Sequence, residues 1–149
     1  MFKICCLFDF DHTATLRNPG ATFYVQIESF AFPDSEWYDL PLSVLDMWCW
    51  NLIENFKSLT AEFTLYFMDG PYLIRCIKDN GNVTMQFIDN HKDDERVILQ
   101  REITFSEFKY GIYDGACELI SVLSTQKNVE SSVFRSLEKR VKKLKKIIK

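Results

Sequence analysis

The 149 residues include 18 Lys and Arg, 21 Asp and Glu and 2 His, for a net charge of −3, with 47% hydrophobic and 15% aromatic side chains. This excludes a disordered chain, which lacks the apolar surface to offset the entropy of ordering. At this length a single core can bury about 70% of the unfolded surface without help from disulfides or a structural metal. The apolar stretch Ile4 to Phe8 is shorter than the roughly 7–15 residues of a signal-peptide core. No run approaches the ~18 apolar residues of a membrane span, so the expectation is a cytoplasmic protein without membrane attachment.

Cys5, Cys6, Cys49, Cys76 and Cys117 are odd in number and contain no Cys-x-x-Cys pair. Four lie among apolar neighbours, which predicts reduced, buried thiols. Charge is distributed unevenly. Residues 128–149 hold eight Lys and Arg against Glu130 and Glu138, a net +6, which leaves −9 on the other 127 residues. An acidic body repels nucleic acid and attracts basic proteins through its long-range field.

Taken in chain order, residues 2–10 and 22–32 are rich in aromatic and β-branched residues, with Arg17-Asn18-Pro19-Gly20 as a turn between them. An antiparallel pair is expected. Asp39 and Pro41 precede Leu42, Leu45, Trp48, Cys49, Leu52, Ile53 and Phe56, whose spacing predicts a helix over roughly 40–58. Strands follow at 62–68, 72–78, 83–87 and 96–103, divided by Asp69-Gly70-Pro71, by Asp79-Asn80-Gly81-Asn82 and by the polar run from Asn90 to Asp94. Asn-Gly tolerates the positive φ of a two-residue hairpin turn. Thr104-x-x-Glu107 opens a second helix as a capping box. Within that helix, Gly111 and Gly115 each cost about 1 kcal/mol relative to Ala, so a close neighbour is expected there. After a break at 124–132, Val129, Val133, Leu137, Val141, Leu144 and Ile148 define an amphipathic terminal helix. Its apolar stripe serves an intramolecular dock or a homodimer equally well.

The sharpest chemical motif is the apolar strand ending in Asp9-x-Asp11-x-Thr13. It looks like the first motif of haloacid-dehalogenase-like phosphatases, in which one carboxylate attacks phosphorus and the other handles the leaving group's proton beside Mg²⁺. Residues i and i+2 of a strand point the same way, so the spacing is sound. The departures are His12, where that family has Gly, and a turn into a second strand where it has an αβ crossover. Asp93-Asp94 lies in a polar turn without the apolar strand of an acidic metal motif. His12 and His91 lack partners at zinc-ligand spacing. There is no Gly-x-Ser-x-Gly, Gly-x-Gly-x-x-Gly or Walker loop. The reading is therefore a non-enzyme without catalytic residue, metal or cofactor. The cluster from Lys139 to Lys146 has no aromatic residue on its polar face, and the acidic body opposes nucleic acid, so a solvated basic face is expected. Trp37 and Trp48 fit core packing. Trp50, offset from the helical stripe, fits either a second packing face or an exposed anchor.

The stretch Phe32-Pro33-Asp34-Ser35-Glu36-Trp37-Tyr38-Asp39, the Trp-bearing helix after it, and Phe67-Met68-Asp69-Gly70-Pro71-Tyr72 resemble a set of small bacterial proteins. Some small acidic α+β proteins of this kind look like immunity proteins, which neutralise toxin domains exchanged between neighbouring bacteria, as in contact-dependent growth inhibition. The similarity covers roughly residues 23–125. It implies an inhibitor that binds a cognate toxin, such as a basic nuclease, by covering its active or substrate-binding surface with carboxylates. The candidate contacts are Asp34, Glu36 and Asp39 near the first helix, Asp89, Asp93, Asp94 and Glu95 at the polar turn, and Trp50. Two other classes stay open: a Mg²⁺-dependent phosphatase using Asp9 and Asp11, and a regulatory or scaffold module pairing through its terminal helix. The expected architecture is α+β, with a mostly antiparallel sheet of five to six strands, one inserted helix and two C-terminal helices. Residues 1–127 form the immunity-like domain, and the basic helix of 128–149 packs on it or on a partner.

Overall fold

Alternating burial along Phe2–Leu7 (β1) and Ala21–Ile27 (β2) puts Phe2, Ile4, Phe23, Val25 and Ile27 on one face. The two strands pair antiparallel from Phe2↔Ile27 to Leu7↔Thr22. This computed structural model describes residues 1–9, 17–126, 129 and 131–149. The expected strand over 22–32 is interrupted at Glu28-Ser29. Glu28 takes φ 54°, and Phe30–Phe32 (β3) folds back on β2 with Ile27 opposite Phe30. Tyr38–Asp39 (β4) then pairs with the start of β2, Ala21 facing Asp39.

Pro41–Glu54 forms α1, buried along Leu42, Leu45, Trp48, Cys49 and Leu52 as its periodicity requires. Thr60–Tyr66 (β5), Tyr72–Asp79 (β6), Asn82–Asp89 (β7) and Arg96–Thr104 (β8) make an antiparallel meander. Between β6 and β7, Asn80 and Gly81 take φ 47° and 96°, the positive values the Asn-Gly pair predicts. Helix α2, Phe105–Ser124, starts with the Thr104 hydroxyl accepting from the Glu107 N–H. Helix α3 runs over Ser132–Ile147.

The protein is α+β, but its strands form two four-stranded antiparallel sheets, β1 to β4 and β5 to β8, in place of the expected single sheet of five to six. The reason is the early fold-back. Phe30–Phe32 and Tyr38–Asp39 take the side of β2 that a larger sheet would have extended from. The two sheets meet through side chains. Phe32 packs edge-on against Phe67, Tyr72 and Phe87, and Phe30 against Phe87, with ring centroids 5.2–5.8 Å apart. Trp48 is fully buried against Phe23 and Phe67, and its indole N–H donates to the Tyr66 carbonyl at 2.8 Å.

The terminal helix docks within the chain. Leu137, Leu144 and Ile148 are buried, and Asp46 of α1 receives the Ser136 hydroxyl at 2.9 Å and Arg140 Nε at 2.8 Å. The stripe that could serve a homodimer is thus covered intramolecularly, and Lys139, Lys142, Lys143, Lys145, Lys146 and Lys149 stay exposed. All five cysteines are free, Cys49 and Cys76 in the core and the other three half-buried. Burial, with help from Glu118 and Cys5, pushes the Cys6 thiol up to about 12.

The two glycines of α2 have the close neighbour their cost implies. A Cβ at Gly111 would lie 2.4 Å from Phe2 Cδ2 and 2.9 Å from the Phe2 carbonyl oxygen, and one at Gly115 would lie 2.8 Å from Ile4 Cβ. Gly111→Ala gains about 1 kcal/mol in helix propensity and loses roughly 1–3 kcal/mol to overpacking. Because a backbone oxygen cannot swing aside as a side chain does, the expected outcome is net destabilisation. It should appear as a lower urea midpoint at unchanged m-value, with exposed Ser121→Ala near neutral.

Candidate functional site

Three connections converge at one end of the molecule: the loop between β3 and β4, the turn between β5 and β6, and the turn between β7 and β8. An aromatic series joins them. Trp37 packs edge-on against Tyr72 at 5.2 Å, and Tyr72 against His91 at 5.9 Å. Gly70, at φ 70°, lies close under the Trp37 ring, where a Cβ would be 2.6 Å from Trp37 Cη2. The Asn90 N–H donates to the Pro71 carbonyl at 3.0 Å, tying the last two turns together. The connections that carry the two acidic segments singled out in the sequence are thus linked through Tyr72, although about fifty residues separate them.

Asp39 and Asp89, expected as exposed contacts, are buried at 2% and 8% relative exposure, which corrects that expectation. The Asp39 carboxylate accepts from the Leu40 N–H at 2.7 Å, from the Trp37 indole N–H at 3.0 Å and from the Asp69 N–H at 3.4 Å. Its place beside the start of α1 also suits the positive end of the helix dipole. Asp89 is paired with the His91 ring and N–H and with Arg96 at 3.4 Å. Burial acts to raise the Asp89 pKa, but the His91 hydrogen bonds and the His91 and Arg96 charges prevail and hold it below the usual carboxylate range.

The remaining acids face solvent. Asp34 accepts from the Glu36 N–H at 2.8 Å and so shapes its own turn. Glu95 is engaged by Arg75 through two bonds of 2.7 and 3.1 Å, which hold its pKa down. Asp34, Glu36, Asp69, Asp93 and Asp94 have no ion-pair partner among the described residues. Lys92 and Asp93 take φ 55° and 58°, presenting the tip of the turn in a left-handed conformation that non-glycine residues adopt only when held there.

Trp50 is not part of this end. It is 42% exposed on α1, in a shallow groove with Ile53, Glu54, Lys139, Arg140 and Lys143 of α3. Trp48 packs inward as its place on the helical stripe predicts, and half-buried Trp37 lies against Tyr72. Asp9 is exposed at the end of β1, whereas Asp11 and His12 lie outside the described residues. Among the described residues no three His, Cys, Asp or Glu side chains converge as metal ligands, and no helix is long and apolar enough to cross a membrane. Asp69 was not singled out from the sequence, although its Asp-Gly-Pro turn carries the signal of an exposed acid. No family model, curated protein or solved structure matches the chain.

Two measurements check this geometry. Removing the Asp39 acceptor leaves three N–H donors without their partner, so Asp39→Ala should lower stability by about 2–4 kcal/mol, while exposed Asp34→Ala should cost about 1 kcal/mol or less. Chemical denaturation followed by tryptophan emission distinguishes them. For Asp89 the depressed folded pKa means that its stabilisation is complete above the ordinary aspartate value of 3.8 and is lost as pH falls through the lower folded value. Asp89→Asn should therefore flatten the acid limb of the stability profile below that pH and leave its shape near neutrality unchanged.

Proposed function

We propose that the protein is a non-catalytic inhibitor that binds a basic partner domain through the acidic end built on Asp34, Glu36, Asp69, Asp93 and Asp94, in the manner of an immunity protein facing a nuclease toxin. One observation carries this reading: the Trp37, Tyr72 and His91 series links the connections that carry the exposed acids Asp34, Glu36, Asp69, Asp93 and Asp94, none of which has an ion-pair partner among the described residues. Such an acidic end concentrates negative potential where a phosphate-binding face of a nuclease is positive, and it speeds encounter by long-range attraction. Buried Asp39 and Asp89 serve this surface indirectly, by fixing the loops that display it. The exposed lysines of α3 concentrate positive charge on a different element of the chain.

Co-expression with the product of the gene immediately upstream, and purification through a tag on that product, tests for a cognate pair. A stable complex is the expected result. No complex, with the upstream product fully active in the presence of this chain, overturns the pairing. The site is tested by Asp34→Asn, Glu36→Gln, Asp93→Asn and Asp94→Asn combined, changes that keep the turn-forming acceptor and the left-handed backbone. Association should slow by about tenfold or more at low ionic strength, and the two rates should converge at roughly 0.5 M salt, where the Debye length is only a few ångströms. Equal rates at low salt would remove the acidic end from the interface.

A further inference from the structure

The solvent side of α3 is cationic along most of its length. Arg135, Lys139, Lys142 and Lys146 recur at steps of 4, 3 and 4 residues, which sets them in one row about 16 Å long, flanked by Lys143 and Lys145. All six are exposed, and none has an ion-pair partner among the described residues. The opposite side of the helix, with Leu137 and Leu144, is spent on the core, and half-buried Arg140 is spent on Asp46. This leaves the row as a convex ridge of free charge.

Helix α1 lies alongside and adds apolar groups to the same face. Asp46 takes the Ser136 hydroxyl and Arg140, and Trp50 and Ile53, four and seven residues further on, stand on that side of α1. Between the two helices runs a groove of about 190 Å³ lined by Trp50, Ile53 and Glu54 of α1 and by Lys139, Arg140 and Lys143 of α3. Trp50 is 42% exposed, and Met47, three residues before it on the helix, is 45% exposed. In the sequence the lysine cluster has no aromatic residue of its own. The fold supplies one from α1. Against the six exposed cations the two helices set only Glu54 and half-buried Glu138, since Asp46 is already paired.

We propose that the face formed by α1 and α3 rests on an anionic lipid surface, with the lysine row over the headgroups and Trp50 and Met47 seated among them. Five of the six exposed cations of α3 are lysines, compact point charges suited to a diffuse negative field, and an indole is favoured at the membrane–water boundary. A planar surface can meet a row on the convex side of a helix. A nucleic acid strand is instead held in a cationic groove with rings for successive bases, whereas this groove offers one ring and has Glu54 in its wall. Attachment of this kind is peripheral, in keeping with the absence, among the described residues, of a helix long and apolar enough to cross a membrane. The inference is independent of the acidic loop end, because every residue it uses belongs to α1 or α3.

Vesicles of phosphatidylcholine with and without phosphatidylserine are the probe, and cosedimentation of the intact protein together with its tryptophan emission is the readout. At about 0.1 M salt, where the Debye length is ~10 Å, the protein should sediment with the anionic vesicles and not with pure phosphatidylcholine, and roughly 0.5 M salt should release it. Bound protein should show a blue-shifted emission that is absent from Trp50→Ser, because Trp48 is already fully buried. Lys139→Gln, Lys142→Gln and Lys143→Gln combined should weaken vesicle binding by about tenfold or more. These changes relieve like-charge repulsion between residues three and four apart, so the far-ultraviolet spectrum should be kept. No sedimentation with anionic vesicles overturns the proposal, as does equal binding to neutral vesicles, equal binding of the lysine variant, or bound protein with unshifted emission. Binding of a single-stranded oligonucleotide without any binding of vesicles overturns it in favour of nucleic acid.

Discussion

Asp39 sits where three parts of the chain must be brought into register, and its carboxylate is the one group that touches all of them. One oxygen takes the Leu40 N–H at the start of α1, where Leu40 itself offers no side-chain cap. The other takes the Trp37 indole N–H and the Asp69 N–H, thirty residues away at the turn between β5 and β6. A carboxylate with 2% exposure is costly to bury unless hydrogen bonds replace its water, and these three donors do so. Placement of Trp37 follows from this, and from Trp37 follow Tyr72, His91 and the whole acidic end.

The second sheet has a comparable device. Lys78 lies on the inward face of β6, in line with Ile74 and Cys76, and is only 5% exposed. Its ammonium donates to the Asn55 and Phe56 carbonyls at 3.0 and 2.8 Å, at the C-terminal end of α1, and lies 3.9 Å from the Phe105 ring centroid. Desolvation lowers its pKa, aided by Lys109. The cation nevertheless finds carbonyl groups left over by the helix end, where positive charge is favoured. An anion therefore stands by the first turn of α1 and a cation by its last, each supplied by a different sheet. That arrangement orients the helix between them.

Charge segregation takes on spatial meaning through these anchors. Basic residues beyond Arg140 project from α3, while Arg140 itself is spent on Asp46 in holding α3 to α1. The acidic body presents its carboxylates in two ways. At the loop end they stand on tight turns carried by buried aspartates, and along α2 Glu107, Asp114 and Glu118 line a groove beside β1. Strand edges are ordinarily protected against chance pairing, and α2 gives β1 that protection by packing on it, Gly111 against the Phe2 carbonyl and Gly115 against Ile4.

Much of the local structure is legible in the sequence, because its causes act within a few residues. Asn80-Gly81 specifies its turn by tolerance of positive φ, Thr104 specifies a helix start by its hydroxyl, and the apolar spacing of α1, α2 and α3 specifies which faces turn inward. The Gly111 and Gly115 pair announces a close approach without naming β1 as the neighbour. Lys78 could have been noticed from its alternation with Ile74 and Cys76, yet its charge argues for the surface until the α1 carbonyls are in view. Division into two sheets turns on Glu28 and Ser29, which carry no strong turn signal. That Asp39 and Asp89 are buried, and that α2 covers the outer edge of β1, were decided by the tertiary structure alone. Each depends on groups tens of residues apart, and the sequence encodes such contacts only through the packing of the whole core.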